Sequence, residues 1–308
     1  GLEKDIQTWS CNECGRRFRN KRREKVAFEK RLWNEYVFHK QTIRELKEKE
    51  GGDWRSFKKH FENYQAPEKK HEPRKINLVA DALYFGERKE ETDWCPIVFR
   101  DPKRKENLWW DFFDTETASA YLKGKEYLGK LGYEILSVTG DGFGGLRAVF
   151  KDIPFQMCHV HMERIVTKGT TKKPILEAGK ALLALVKTLH QGINSELFKF
   201  YLNKYLEKYR DFLNEKTINP LNGETDWTHE LLRKAALSLL HFLPYLFTFE
   251  KDKNISRTTN SLEGHFSHVR DVFRIHRGLK KKSAEKFLHS IFLASTIAPS
   301  KKKLKHIL

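Results

Sequence analysis

The order of apolar patterns predicts an α/β fold in which five strands come early and a long helical stretch follows. Three observations carry that expectation. "INLVADALYFG", "CPIVFRD" and "ENLWWDFFDTE" are short runs rich in β-branched and aromatic residues, parted by charged or Pro-containing turns as in an antiparallel meander. "TASAYLKGKEYLGKL", "YEILSVTGD", "LRAVFKDI" and "FQMCHVHM" then read as helix, strand, short helix and strand, completing the order β-β-β-α-β-α-β. From 163 to 255 the chain reads as helical throughout, with "ILEAGKALLALVKTLH", "SELFKFYLNKYLEKYRDFL" and "HELLRKAALSLLHFLPYLF" each carrying an apolar stripe at helical spacing.

The flanking segments have a different texture. Residues 1–25 are polar and basic around "WSCNECGRRFRNKRREK". Residues 26–75 begin with a stripe of Val26, Phe28, Leu32, Trp33, Tyr36 and Val37. "KQTIRELKEKEGGDWRSFKKHF" follows as a helix, a Gly-Gly break and a second basic helix, a layout compatible with a DNA-binding helix-turn-helix or with a plain helical hairpin. "APEKKHEPRK" suits a linker. In the last segment, 256–308, Leu262, Phe266, Val269 and Phe273 lie on one face of an amphipathic helix, and a basic tail ends the chain.

Lys and Arg number 59 against 41 Asp and Glu, a formal charge of +18. The excess sits in the segments before 76 and after 250, while the centre is neutral. Basic ends around a neutral centre point to a polyanion, nucleic acid above all, bound through release of counterions. Four cysteines are too few and too scattered for a disulfide scaffold, which favours a reducing cytoplasm. No apolar run approaches a membrane span or a signal peptide, so the expectation is a soluble chain.

"GDGFGG", after the run "YEILSVT", fits the dinucleotide fingerprint G-x-G-x-x-G, yet Asp141 would put a carboxylate where a pyrophosphate should lie. The alternative makes Asp141 the functional group and the glycines its clearing. A carboxylate just past a strand end can hold a divalent cation, and Mg²⁺ needs only one or two acids per ion. Asp81 is a second carboxylate, inside an otherwise apolar strand, where burial is costly unless something compensates it. Plainer roles also fit: a strand-end acid bonded to an amide for Asp81, a turn residue for Asp141. Glu263, at the start of the amphipathic helix, is the third candidate, although Asn260-x-x-Glu263 also fits a capping box. Arg270 and Arg274 fall on the same helical side as Glu263, with Arg277 and Lys280 beyond them, and basic groups there suit DNA phosphates.

A first-strand Asp, an Asp after the fourth strand and a Glu on a late helix resemble the ribonuclease H-like core of DDE-type DNA transposases. The wording "VADALYFG", "VTGDGFGGL", "CHVHMERI" and "TTNSLEGHFSHVRDVFRIHRGL" resembles transposases of bacterial insertion sequences related to Mutator-like elements. The resemblance covers about 76–280. It implies a mixed five-stranded sheet with flanking helices at 76–162, an all-α insertion at 163–255 and the final core helix after it. It further implies Asp81, Asp141 and Glu263 as ligands of two Mg²⁺ or Mn²⁺ ions. The implied reaction is DNA hydrolysis at transposon ends followed by attack of the freed 3′-hydroxyl on target DNA. Double-stranded DNA, a homodimer or larger assembly on it, and a prokaryotic, nucleoid-associated setting come with the resemblance. A nuclease on the same core and a catalytically silent DNA-binding relative are the alternatives.

Two cysteine motifs remain. Cys158 and His161 form a C-x-x-H pair whose side chains converge only if the strand turns helical there; zinc binding, shaping of the active site and plain packing all fit. Cys11-x-x-Cys14 resembles one knuckle of a zinc ribbon, which needs a second pair, and none stands downstream. Trp227, in "NGETDWTHE", is a candidate for stacking on an unpaired base.

Overall fold

The computed structural model describes residues 2–3, 6–19, 21–86, 93–218, 223–276 and 278–295. The chain divides into two compact units, one formed by Gly1–Lys70 with Ser267–Leu308 and the other by His71–Phe266. Residues 64–74 carry no regular structure, in keeping with the two prolines there.

In the first unit, strands β1 (Leu2–Glu3), β2 (Ile6–Ser10) and β3 (Arg17–Arg19) form a small antiparallel sheet. Cys11 and Cys14 lie in the turn between β2 and β3, where the Gly15 amide donates to the Cys11 carbonyl (2.9 Å). Helix α1 (Lys21–Val37) buries Leu32, Trp33, Tyr36 and Val37, whereas Val26 is 57% exposed and lies off the expected stripe. α2 (Ile43–Glu50) opens with a capping box between Thr42 and Glu45, and α3 (Trp54–Asn63) is capped by Asp53. Between them Gly51 and Gly52 take φ of +72° and +94°, a left-handed break that glycine adopts without strain.

The second unit is built on a mixed sheet. Its strands are β4 (Lys75–Ala82), β5 (Cys95–Asp101), β6 (Glu106–Phe113), β7 (Glu134–Gly140) and β8 (Phe155–Met157), in the order β6-β5-β4-β7-β8. β4, β5 and β6 pair antiparallel, and β7 and β8 add in parallel to β4. β5 is buried along its whole length, and its first five residues read as an apolar run rather than an alternation before the buried Arg100 and Asp101. α4 (Ala118–Lys130), capped by Thr117, and the short α5 (Gly144–Val149) join the strands. A five-stranded mixed sheet with flanking helices is consistent with the ribonuclease H-like core that the sequence led us to expect.

β8 is shorter than the expected strand over 155–162, because the chain turns helical at His159. The Cys158 amide still bonds the Gly140 carbonyl of β7 (2.8 Å), the next amide, of His159, donates to the Arg257 carbonyl (3.0 Å), and α6 (His159–Thr170) begins. α7 (Glu177–Lys187), α8 (Ser195–Lys208), α9 (Arg210–Leu213) and α10 (Glu230–Leu246) follow. The stretch is not purely helical: β9 (Lys216–Ile218) and β10 (Thr225–Trp227) form an antiparallel hairpin within it. The end of α10 returns to the sheet, where Gln156 donates to the Leu246 carbonyl (2.9 Å) and accepts from the Phe249 amide (3.0 Å). α11 (Asn260–Ile275) and α12 (Lys281–Ala294) complete the chain. No helix among the described residues is long and apolar enough to cross a membrane.

Candidate active site

β4 and β7 run parallel with Val79 opposite Thr139. Asp81 and Asp141 stand two residues beyond that pair, so the pleat puts both on the face of Val79 and Thr139, at the same ends of neighbouring strands. Each uses one carboxylate oxygen locally: Asp81 Oδ1 accepts from the Ala82 amide and Asp141 Oδ1 from the Phe143 amide, both at 2.9 Å. These are the bonds of a strand-end acid and a turn acid. Oδ2 of each has no hydrogen-bond partner among the described residues.

The third acid reaches the same place through backbone contacts. The Thr139 hydroxyl donates to the Ser256 carbonyl (2.8 Å), the Cys158 amide to the Gly140 carbonyl (2.8 Å), and the Thr259 amide to Cys158 Sγ (3.3 Å). Segment 256–259 is thereby fixed between the end of β7 and the start of α6, and Glu263 lies one turn into α11. Thr259, not Asn260, opens that helix, since its carbonyl accepts from the Leu262 and Glu263 amides (2.8 and 3.0 Å). The capping box with Asn260 does not form, because the Asn260 amide donates to Thr258 Oγ1 (3.4 Å) and the Glu263 carboxylate faces elsewhere.

That carboxylate makes a two-pronged pair with Arg164 of α6, at 2.9 and 2.7 Å. Thr259 Oγ1 adds a 3.4 Å bond, and His161 Nδ1 is 3.8 Å away. Cys158 and His161 do converge: with α6 starting at His159, both reach Thr259, Cys158 Sγ lying 3.4 Å and His161 Nδ1 3.4 Å from its Oγ1. Their place is beside the third acid, where they hold its segment.

The electrostatics follow from this crowding. Burial, and after it the charge of Asp141 and then of Glu263 and Glu116, holds the Asp81 carboxyl well above the ordinary carboxylate range, against the Ala82 amide that lowers it. Glu116 itself is pushed up by burial, against the lowering bonds from the Tyr121 and Tyr84 hydroxyls. Burial holds the His161 imidazole below its usual value, although the charges of Asp141 and Glu263 oppose that. Unpaired repulsion among buried carboxylates is what a hard divalent cation relieves, and Asp81 and Asp141 offer the oxygen donors it takes. Glu263 is spent on Arg164 in this conformation. Among the described residues no group of three His, Cys, Asp or Glu side chains is arranged to hold a metal ion, which applies equally to Cys11 and Cys14.

No protein-family model matches this sequence, and no curated protein matches it. Among solved structures, the integrase catalytic core domain of HTLV-2, in complex with magnesium and in a trimeric form, is similar over 50% of this chain and 94% of that one. The two are 17% identical and superpose with a TM-score of 0.22.

The other sequence candidates are placed as follows. Arg270 and Arg274 are exposed on α11, beyond the residues that belong to the unit of the sheet, and Arg274 lies 3.7 Å from Asp271. Lys280 caps α12, and Arg277 lies outside the described residues. Trp227 has cations over its ring, Arg233 at 4.0 Å and Lys216 at 4.6 Å, which occupy it within its own unit. Sequence reading missed Arg164, Thr259 and Glu116. The spacing from Arg164 to Glu263 leaves no local signal for their pairing, whereas the ST-type start "TTNSLE" could have marked Thr259 as a helix cap.

Proposed function

We propose that this chain is a DDE-type polynucleotidyl transferase, and in its finer form a transposase that cleaves DNA at the ends of a mobile element and joins them to target DNA. What supports the reading is that Asp81 and Asp141 stand at the same end of the parallel β4–β7 pair, with the segment that leads to Glu263 tied to that end through Thr139 and Cys158. Burial, and after it the charges of Asp141 and Glu263, push the Asp81 carboxyl upward. Asp81 and Asp141 would hold a divalent ion between them, Mg²⁺ or Mn²⁺, and Glu263 would join after leaving Arg164, giving the oxygen set of a two-ion centre. Such ions supply Lewis acidity at a DNA phosphate and an activated water or 3′-hydroxyl.

The chain's own residues then divide the work. The glycine turn at 140–145 keeps bulky groups from the approach to Asp141. Cys158 and Thr259 fix the Glu263 segment. Arg164, once released, has a guanidinium fork suited to a phosphate of the bound strand. Basic residues of the flanking segments supply sequence-independent affinity for double-stranded DNA, and bringing two DNA ends together calls for a dimer or larger assembly. The same centre without strand transfer would make a nuclease.

The test is a combined nicking and strand-transfer assay on DNA with Mg²⁺ or Mn²⁺. Asp81→Ala, Asp141→Ala and Glu263→Ala are each expected to abolish cleavage while DNA binding persists. Full cleavage by any one of them removes that residue from the centre, and cleavage without joining leaves the nuclease reading.

A further inference from the structure

The first unit contains a cavity of about 720 Å³ whose lining comes entirely from residues 33–62 and 275–286. Its walls combine two chemistries. Trp33, Tyr36 and Phe61 form an aromatic floor, and Trp54, the first residue of α3, stands 59% exposed at the side. Around them are five basic side chains against a single acid, Glu62. Lys286 is already committed: its ammonium donates to the Phe61 and Glu62 carbonyls (2.6 and 3.0 Å) and lies 5.4 Å from the Trp33 ring centre. Arg44, Lys58 and Lys282 are exposed. On the wall, His276 packs on Tyr36 with ring centres 4.1 Å apart, is 95% buried, and has an Nε2 with no hydrogen-bond partner.

A mere packing gap between helices would be walled by aliphatic groups and would not gather cations at its rim. This one suits a ligand that is flat and apolar on one side and anionic on the other. A paired base cannot offer its faces, because they are stacked in the duplex. We propose that this cavity receives one unpaired nucleotide of a DNA strand, with its base against Trp54 and the aromatic floor and its phosphates on Arg44, Lys58 and Lys282. None of its lining residues is one of the three acids, and the proposal rests on the proposed function only in taking DNA as the substrate. It adds recognition of unpaired DNA, such as a frayed or nicked end, to binding of the duplex.

The experiment uses the full chain in EDTA, so that the metal centre plays no part. Fluorescence anisotropy compares a blunt hairpin duplex with the same hairpin carrying a short 3′ overhang that contains 2-aminopurine. Stacking one base on an aromatic side chain corresponds to about a tenfold gain in affinity, and the wild type is expected to prefer the overhang by that factor. Trp54→Ala should erase the preference and the quenching of 2-aminopurine while leaving blunt-duplex affinity within about twofold of wild type. Trp54→Phe should restore most of the preference. The exposure of Trp54 makes loss of folding an unsuitable explanation, which circular dichroism of the variant checks. Equal affinity for both hairpins, or a preference that survives in Trp54→Ala, overturns the proposal and leaves the catalytic reading standing. Displacement of the overhang by micromolar dAMP overturns the strand as the source and makes the cavity a free-nucleotide site.

Discussion

Gly142 and Gly144 flank Phe143 in one turn, and their replacement by alanine is expected to have opposite signs. Gly142 takes φ of +91°, and a Cβ there would stand 2.7 Å from Met157 Sδ and 2.9 Å from the Phe242 ring. The left-handed backbone costs an L side chain about 1–2 kcal/mol. Forcing the added methyl into packed neighbours costs about 1–3 kcal/mol more. Gly142→Ala should therefore destabilise the unit by ~2–5 kcal/mol, which for a unit of this size lowers the melting temperature on the order of 5–15 °C. Gly144 opens α5, and a Cβ there meets nothing within 4 Å. Gly144→Ala should gain about 0.5–1 kcal/mol from the reduced freedom of the unfolded chain. Differential scanning calorimetry of the two variants beside wild type decides the matter. A Gly142→Ala melting temperature equal to that of wild type, or two variants shifted in the same direction, would refute the account of the turn.

Asp81 sets a pH-dependent expectation. Its folded carboxyl sits above the ordinary carboxylate value, so the folded state favours the protonated form. The stability this brings is full below the ordinary value and is lost as pH rises through that value toward the raised one. In EDTA at about pH 8 Asp81→Asn should melt higher than wild type, and Mg²⁺ should raise the melting temperature of wild type only. A variant that melts lower in EDTA would show the charge to be compensated already. For Arg164→Gln, stability should change by less than about 1 kcal/mol, because Arg164 is exposed and such pairs are screened. Mn²⁺ should bind several-fold tighter once Glu263 is free, as read by isothermal titration; unchanged or weaker binding would mean that the ion pair does not compete with the cation.

The strands were legible because burial writes itself into residue type. β5 matches the segment "CPIVFRD" residue for residue, and Asp81 stood out as a charge within an apolar run. Asp141 was legible for a local reason as well, since a left-handed glycine follows it. What failed to show were the features made by distant partners. "FQMCHVHM" has strand-like composition to its end, yet the chain turns helical at His159, whose amide bonds the distant Arg257 carbonyl. Glu263 read equally well as a capping residue or a ligand, and its engagement with Arg164 depends on how α6 and α11 meet. Val26 fits the apolar stripe by spacing alone, but it stands exposed to solvent. The cavity on α1 and α3 was invisible because the sequence shows its aromatics and its cations as two separate patterns.

The hydrogen bonds that fix segment 256–259 to β7 and α6 bear on how the helical stretch can change over time. The first end of that stretch follows directly on β8, where Arg164 of α6 pairs with Glu263, and its far end returns to the sheet through Gln156 on Leu246 and through Thr139 and Cys158 on Ser256 and Thr259. Among the described residues, the elements between α6 and α10 contribute no side chain to the hydrogen bonds of Glu263. Closing a loop of twice the length costs only about 0.6 kcal/mol more. The connections between α6 and α10 can therefore lengthen, shorten or acquire hairpins such as β9–β10 at little cost while Asp81, Asp141 and Glu263 keep their places.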